Sequence, residues 1–112
     1  MGILAAGQVV IVQFPFSDLS QSKLRPAVVL AEAGRGDWLL CQITSKSYGD
    51  LRAIQIVTPD FTQGSLRATS YARPGKLFTA HMSLVAGQIG NLHSKSFSVI
   101  RDAVVRLIQS SA

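Results

Sequence analysis

Two stretches, Gly7-Gln-Val-Val-Ile-Val-Gln-Phe-Pro-Phe16 and Lys23-Leu-Arg-Pro-Ala-Val-Val-Leu30, set the reading of this chain. In the first, Val9, Val10, Ile11 and Val12 follow one another without a polar break, the pattern of a strand buried on both faces or at a barrel seam. It stops at the Phe14-Pro15-Phe16 corner, and a polar loop containing Ser17, Ser20 and Ser22 follows. Arg25 then stands directly before the next apolar run, and Pro26 biases it toward extended geometry. Its planar, permanently charged fork is suited to gripping a phosphate at the mouth of the loop. The competing reading is structural: an arginine that ties the loop down through carbonyls or Asp18.

Outward from these stretches, the chain reads as short strands. Gly34-Arg35-Gly36-Asp37 is a turn signal and Trp38 to Thr44 its returning strand, so 26–44 reads as a hairpin. Ser45 to Asp50 is a polar loop bending at Gly49. Ala53 to Thr58 is a further strand, closed by Pro59-Asp60. Residues 68–72, 76–80 and 85–92 supply three more, punctuated by Pro74-Gly75, Gly87 and Gly90. The period then changes. Ser94 is placed to cap a helix whose Phe97, Ile100, Val104, Leu107 and Ile108 share one face, with Lys95, Arg101 and Arg106 elsewhere on it. The expectation is one α+β domain over 1–112, mainly β: a small barrel or sandwich with a C-terminal helix.

Composition narrows the function classes. The chain has 112 residues, enough for a single core without staples. Its residues are 47% apolar and 15% charged, a globular balance. Eleven lysines and arginines against six acids give +5, which suits a polyanionic partner. The lone Cys41 lies in an apolar run and reads as a small core residue. His81 and His93 have no thiol pair at zinc spacing, so no metal site is expected. The N-terminus carries no legible address, and no apolar stretch approaches the ~20 residues of a membrane span. A cytoplasmic, reducing setting is the default expectation.

Three polar groups fall at strand ends: Ser17 to Lys23 with Arg25 behind it, Thr44-Ser45-Lys46, and Ser70 to Lys76. If 26–44 is a hairpin, Arg25 and Thr44 share its open end on neighbouring strands, within reach of one phosphate. Thr44 alone has an ordinary alternative as a turn-capping hydroxyl. No Ser/His/Asp constellation, paired acids or phosphate-binding glycine loop is legible. By elimination, catalysis here relies on arginine, hydroxyls and the substrate's own chemistry. RNA supplies the last, because its 2′-hydroxyl can attack the adjacent phosphate once held in line.

From Gly7 to about Ile108 the chain resembles the MazF/PemK-like toxins of bacterial toxin–antitoxin pairs. The matching pieces are Gly7 to Phe16, Arg25-Pro-Ala-Val-Val-Leu30, Ile43-Thr44-Ser45, Ser70 to Phe78 and Ser83 to Leu92. The resemblance implies an SH3-like barrel with a C-terminal helix, usually a homodimer. It implies a cofactor-free, metal-independent, sequence-specific endoribonuclease that cuts single-stranded RNA to a 2′,3′-cyclic phosphate. It also implies an antitoxin partner with an acidic, disordered tail; a non-catalytic barrel that binds nucleic acid or antitoxin is the alternative on the same fold. Carried over by position, Arg25 matches the arginine that contacts the scissile phosphate and takes part in proton transfer, and Thr44 the threonine that binds it. An arginine in water is a poor base, so Arg25 fits electrostatic stabilisation better. Phe16 and Ser17 match the start of the loop that covers RNA. Lys23, Ser45, Lys46, Arg73 and Lys76 are the further RNA-binding candidates, and Tyr71 either stacks a base or packs. Two positions depart from the family pattern: no acid stands near Ser20, and Arg73 occupies the place of a common carboxylate.

Overall fold

The computed structural model describes residues 4–15, 22–47 and 49–110. Seven strands form one sheet: β1 (Gln8–Pro15), β2 (Ser22–Gly34), β3 (Asp37–Thr44), β4 (Ile54–Ile56), β5 (Phe61–Gly64), β6 (Ser70–His81) and β7 (Val85–Leu92). A single helix, α1 (Ser94–Ser110), follows. The spatial order is β4-β6-β3-β2-β1-β7-β5, with antiparallel pairing throughout. The two end strands β4 and β5 are nonetheless consecutive in the chain, joined by a 3₁₀ turn at Thr58–Asp60. Ile56 and Phe61 meet in one buried cluster, so the sheet curls into a half-barrel.

The apolar run of β1 faces two cores. Val9 joins Val28, Cys41, Ile43 and Ala72 beneath Ile100 and Val104 of α1. Val10 and Val12 join Ala27, Val29 and Leu40 on the opposite face. Unbroken valine is therefore what this strand needs, as expected for double burial.

The β2–β3 hairpin matches the sequence expectation and is longer than it. Arg35 and Gly36 form its two-residue tip with φ of 57° and 82°, the sign pattern of a type I′ turn. Arg25, expected ahead of the strand, lies within β2 opposite Val12. The segments 68–72 and 76–80, expected as two strands, are one. Pro74 can donate no ladder bond; the register instead slips between Cys41↔Leu77 and Ile43↔Ala72, and Arg73 to Lys76 bulge out. The Cys41 thiol donates to the Arg73 carbonyl at 3.2 Å, satisfying an acceptor that the bulge displaces. The predicted strand at Ala53 to Thr58 shortens to β4 because residues 58–60 turn, and β5 has no counterpart in the sequence reading.

Two details of α1 also differ. Phe97 N–H bonds to the His93 carbonyl at 2.9 Å, so His93 takes the cap position and Ser94 is the first helical residue. Ile108, expected on the buried face, is 65% exposed. The helix start is fixed by Asp60, which accepts from Val57 N–H (2.8 Å) and Ser96 Oγ (2.9 Å).

Two expectations test this architecture. A Cβ at Gly90 would run into the Gln63 carbonyl where β5 and β7 cross closely. Gly90→Ala should cost ~1–3 kcal/mol, read as a lowered urea midpoint with unchanged slope. Burial pushes the Cys41 thiol up to about 12. Iodoacetamide at pH 8 should therefore leave the folded protein unmodified and label it fully in urea; rapid native labelling would contradict the buried placement.

Candidate functional site

One end of the hairpin gathers most of the predicted residues. Strand pairing places Val12 opposite Arg25 and Thr44 opposite Tyr71, which in turn faces Gln55. Ala27 pairs with Gln42, and counting on in that register brings Arg25 opposite Thr44. A row across β1, β2, β3, β6 and β4 results, with Arg25 and Thr44 on adjacent strands. Alternation along β2 puts Lys23 on the same face as Arg25. Arg25 is half-buried beside the fully buried Val12, a setting that limits its rotamers.

Thr44 is buried to 7% exposure, and its hydroxyl oxygen accepts Lys46 N–H at 3.2 Å. The turn-capping role is thus present, and it orients the hydroxyl: with one lone pair used, the O–H proton remains to donate. Ser45 and Lys46 follow Thr44 on exposed backbone.

Arg73 stands two residues from Tyr71 on β6, and its Nε donates to Asp50 Oδ2 at 3.0 Å, both side chains under 20% exposed. Asp50 Oδ1 accepts Arg52 N–H at 2.9 Å. These bonds, the Arg52 N–H first and Arg73 second, hold the Asp50 carboxyl below the usual carboxylate range. Arg73 is therefore an arginine with a fixed counter-charge, and an acid returns in space to the neighbourhood of the departure noted in the sequence. Sequence reasoning missed Asp50. Its local signal was the polar turn ending Gly49-Asp50, whose side chain bonds two residues ahead; its partner, 23 positions on, becomes visible only through sheet register.

Lys76 is not brought to the row. It follows Gly75, which lies against Leu107 of α1. Phe16 and Ser17 lie outside the described residues. Among the described residues, no cluster of three histidine, cysteine, aspartate or glutamate side chains offers a metal site. No described helix is long and apolar enough to cross a membrane.

Solved structures share the architecture. A mycobacterial endoribonuclease in complex with its cognate antitoxin superposes with a TM-score of 0.73 at 12% identity, covering 97% of this chain and 96% of that one. A MazE–MazF complex from Deinococcus radiodurans gives 0.72 at 17% identity, covering 96% and 97%. A MazF toxin of Mycobacterium tuberculosis gives 0.69 at 19% identity, covering 91% and 96%. At such identities the likeness speaks to fold. No curated protein matches the chain by sequence at a significant level. The family profile described as PemK-like, MazF-like toxin of type II toxin–antitoxin systems matches residues 5–108, nearly the whole chain, and the protein belongs to that family.

Proposed function

We propose that this chain is the toxin of a type II toxin–antitoxin pair and acts as a metal-independent, sequence-specific endoribonuclease on single-stranded RNA. The observation that carries this reading is the Arg25–Thr44 juxtaposition: a permanent cation and an oriented hydroxyl on adjacent strands, in a chain of this family. In the reaction, the 2′-oxygen attacks the neighbouring phosphorus and the bond to the 5′-oxygen breaks, leaving a 2′,3′-cyclic phosphate. Negative charge grows on the non-bridging oxygens. Arg25 offers them a two-pronged donor and Thr44 a third hydrogen bond, in a position set before substrate arrives.

The remaining residues divide by distance from that pair. Lys23, Ser45 and Lys46 contact the RNA backbone beside it, and Phe16 and Ser17 cover the strand. Tyr71 offers a ring for a base. Asp50, held low, is a weak base; it positions Arg73, which contributes charge at the edge of the row. Lys76, outside the row, binds RNA only at a distal nucleotide. The functional form is a cytoplasmic homodimer, silenced by an antitoxin whose acidic tail folds onto the basic surface.

In EDTA, the purified protein should cut a long unstructured RNA at discrete positions. Arg25→Ala should slow this by roughly 10²–10³-fold, as for loss of one preorganised donor. Arg25→Lys should restore little, since charge without the fork is not equivalent. Thr44→Val should fall similarly and Thr44→Ser should retain most activity, with circular dichroism confirming the folds. Uncut RNA with wild-type protein that still binds it would replace the enzyme reading with the binding barrel.

A second expectation concerns the ion pair. Asp50→Asn releases Arg73, so RNA affinity should rise and the dependence of log K on log salt should steepen by about 0.7, one added phosphate contact. Lowering the pH should mimic this only below the ordinary carboxylate range, because the Asp50 proton is bound late. An unchanged salt slope would place Arg73 away from the RNA path.

A further inference from the structure

Behind the Arg25–Thr44 row lies a cavity that meets the proposed ribonuclease site only at Ser45. Its volume is about 430 Å³, and Ile11, Pro26, Leu66 and Ile89 form its apolar walls. Val12, opposite Arg25, belongs to one core; Ile11, opposite Pro26, therefore faces the other way, as alternation along β1 requires. A nucleotide lying along the row does not enter this space. The four apolar walls are all half-buried, so each ends on open space instead of on protein. Gly87 faces Ile11 across the β1–β7 pair, and a Cβ there would meet nothing within 4 Å. The missing side chain keeps the mouth of the half-barrel open. Ligand pockets run from ~300 to ~1,000 Å³, and benzene needs only ~150 Å³, so the space suits a ring system with substituents.

The polar groups narrow its chemistry. Ser65 and Ser70 stand among the apolar walls, with Arg67 between them in sequence. Ser65 Oγ donates to the Leu66 carbonyl at 2.9 Å, and Ser70 Oγ to the Ala68 carbonyl at 3.0 Å. With their protons committed, both hydroxyls offer a ligand only lone pairs. Ser70 is 6% exposed, and a ligand that covers it without donating to it loses affinity. Arg67 is exposed, and no carboxylate among the described residues lines the cavity. An anion at the rim therefore meets a cation without a competing acid.

We infer that this cavity binds a nucleoside monophosphate whose base carries an exocyclic amine, with the base inside and the phosphate on Arg67. The faces of the base lie against Ile11, Pro26, Leu66 and Ile89, and its amine donates to the oxygens of Ser65 and Ser70. An aliphatic acid fits less well, because it leaves both serine oxygens without a donor. A base with a carbonyl in place of the amine sets oxygen against oxygen. The site is distinct from the RNA row, and its occupancy does not depend on the ribonuclease reading.

The test titrates the isotope-labelled full chain by NMR with AMP. Inosine monophosphate, in which a carbonyl replaces the amine, and adenosine, which lacks the phosphate, are the comparison probes. AMP should shift the amides of Ile11, Ile89 and 65–70. Inosine monophosphate should bind about tenfold more weakly or worse, since the serine oxygens lose their donor. Arg67→Gln, an exposed change, should bring AMP down to the affinity of adenosine and leave adenosine unaffected. Ala68→Phe, at the exposed rim, and Gly87→Leu, in open space, should each abolish the AMP shifts with unchanged circular dichroism. No shifts at millimolar AMP, equal binding of inosine monophosphate, or shifts centred on Lys23 to Arg25 would overturn the inference. A single-stranded oligoribonucleotide that shifts 65–70 and Ile89 and displaces AMP would also overturn it, giving the cavity to RNA. RNA cleavage by Ala68→Phe should equal that of wild type; its loss would have the same meaning.

Discussion

The register of β2 against β3 is the constraint on which the rest depends. In most half-buried strands the hydrophobic pattern enforces register, because a one-residue slip turns the apolar face outward. Here that safeguard is weak: Val28, Cys41 and Ile43 are buried on one face, and Ala27, Val29 and Leu40 on the other. A slip would exchange one apolar set for another. The hairpin tip and two bulges above it supply the specificity instead. Arg35 and Gly36 both take positive φ and close the turn with two residues, and two bulges between there and Ala27 each shift the register by one residue. For a residue with a side chain, Arg35 holds this geometry at a cost of ~1–2 kcal/mol. Arg25 opposite Thr44 is the downstream result.

That geometry explains why the chain's few polar side chains matter more than their number suggests. Thr44 is fastened by the backbone that follows it, and Arg73 by Asp50. The Thr44 hydroxyl is oriented without help from a ligand, which is where preorganised sites gain over flexible ones, whereas Arg73 is held by its counter-charge. The bulge at Arg73 to Lys76 contributes to this arrangement. It lets β6 continue past a proline, turns Gly75 toward the helix and leaves Arg73 on the side facing Asp50.

Much of this was legible in the sequence, for definable reasons. β1 carries an unbroken apolar run, α1 a helical apolar stripe and the hairpin a glycine turn signal, and a hairpin by itself puts Arg25 and Thr44 at one open end; the two bulges that set their register have no local signal. What escaped lacks a local signature. β5 is Phe-Thr-Gln-Gly, one buried residue and three exposed, held by its neighbour β7 and by close backbone approach at Gly64 and Gly90. β6 looked like two strands because proline normally ends a ladder, and only the register slip with its thiol-capped carbonyl accommodates it. Ile108 fits the helical stripe yet is exposed, because helical period cannot tell where the sheet beneath a helix stops. Asp50 and Arg73 are brought together by the order of strands.

The pairing of β1 with β7 has a consequence for how the molecule comes into being. Gln8 sits beside Asn91, so the first strand made must wait for the last before its second edge is covered. A ribosome emits residues one by one, and β1, β2 and β3 leave it as a meander with both flanks bare, one awaiting β6 and the other β7. Contacts so distant in sequence form late, after most of the chain is available. The half-barrel is thus withheld from the nascent chain until β7 has emerged: synthesis of that strand is the step that closes the fold.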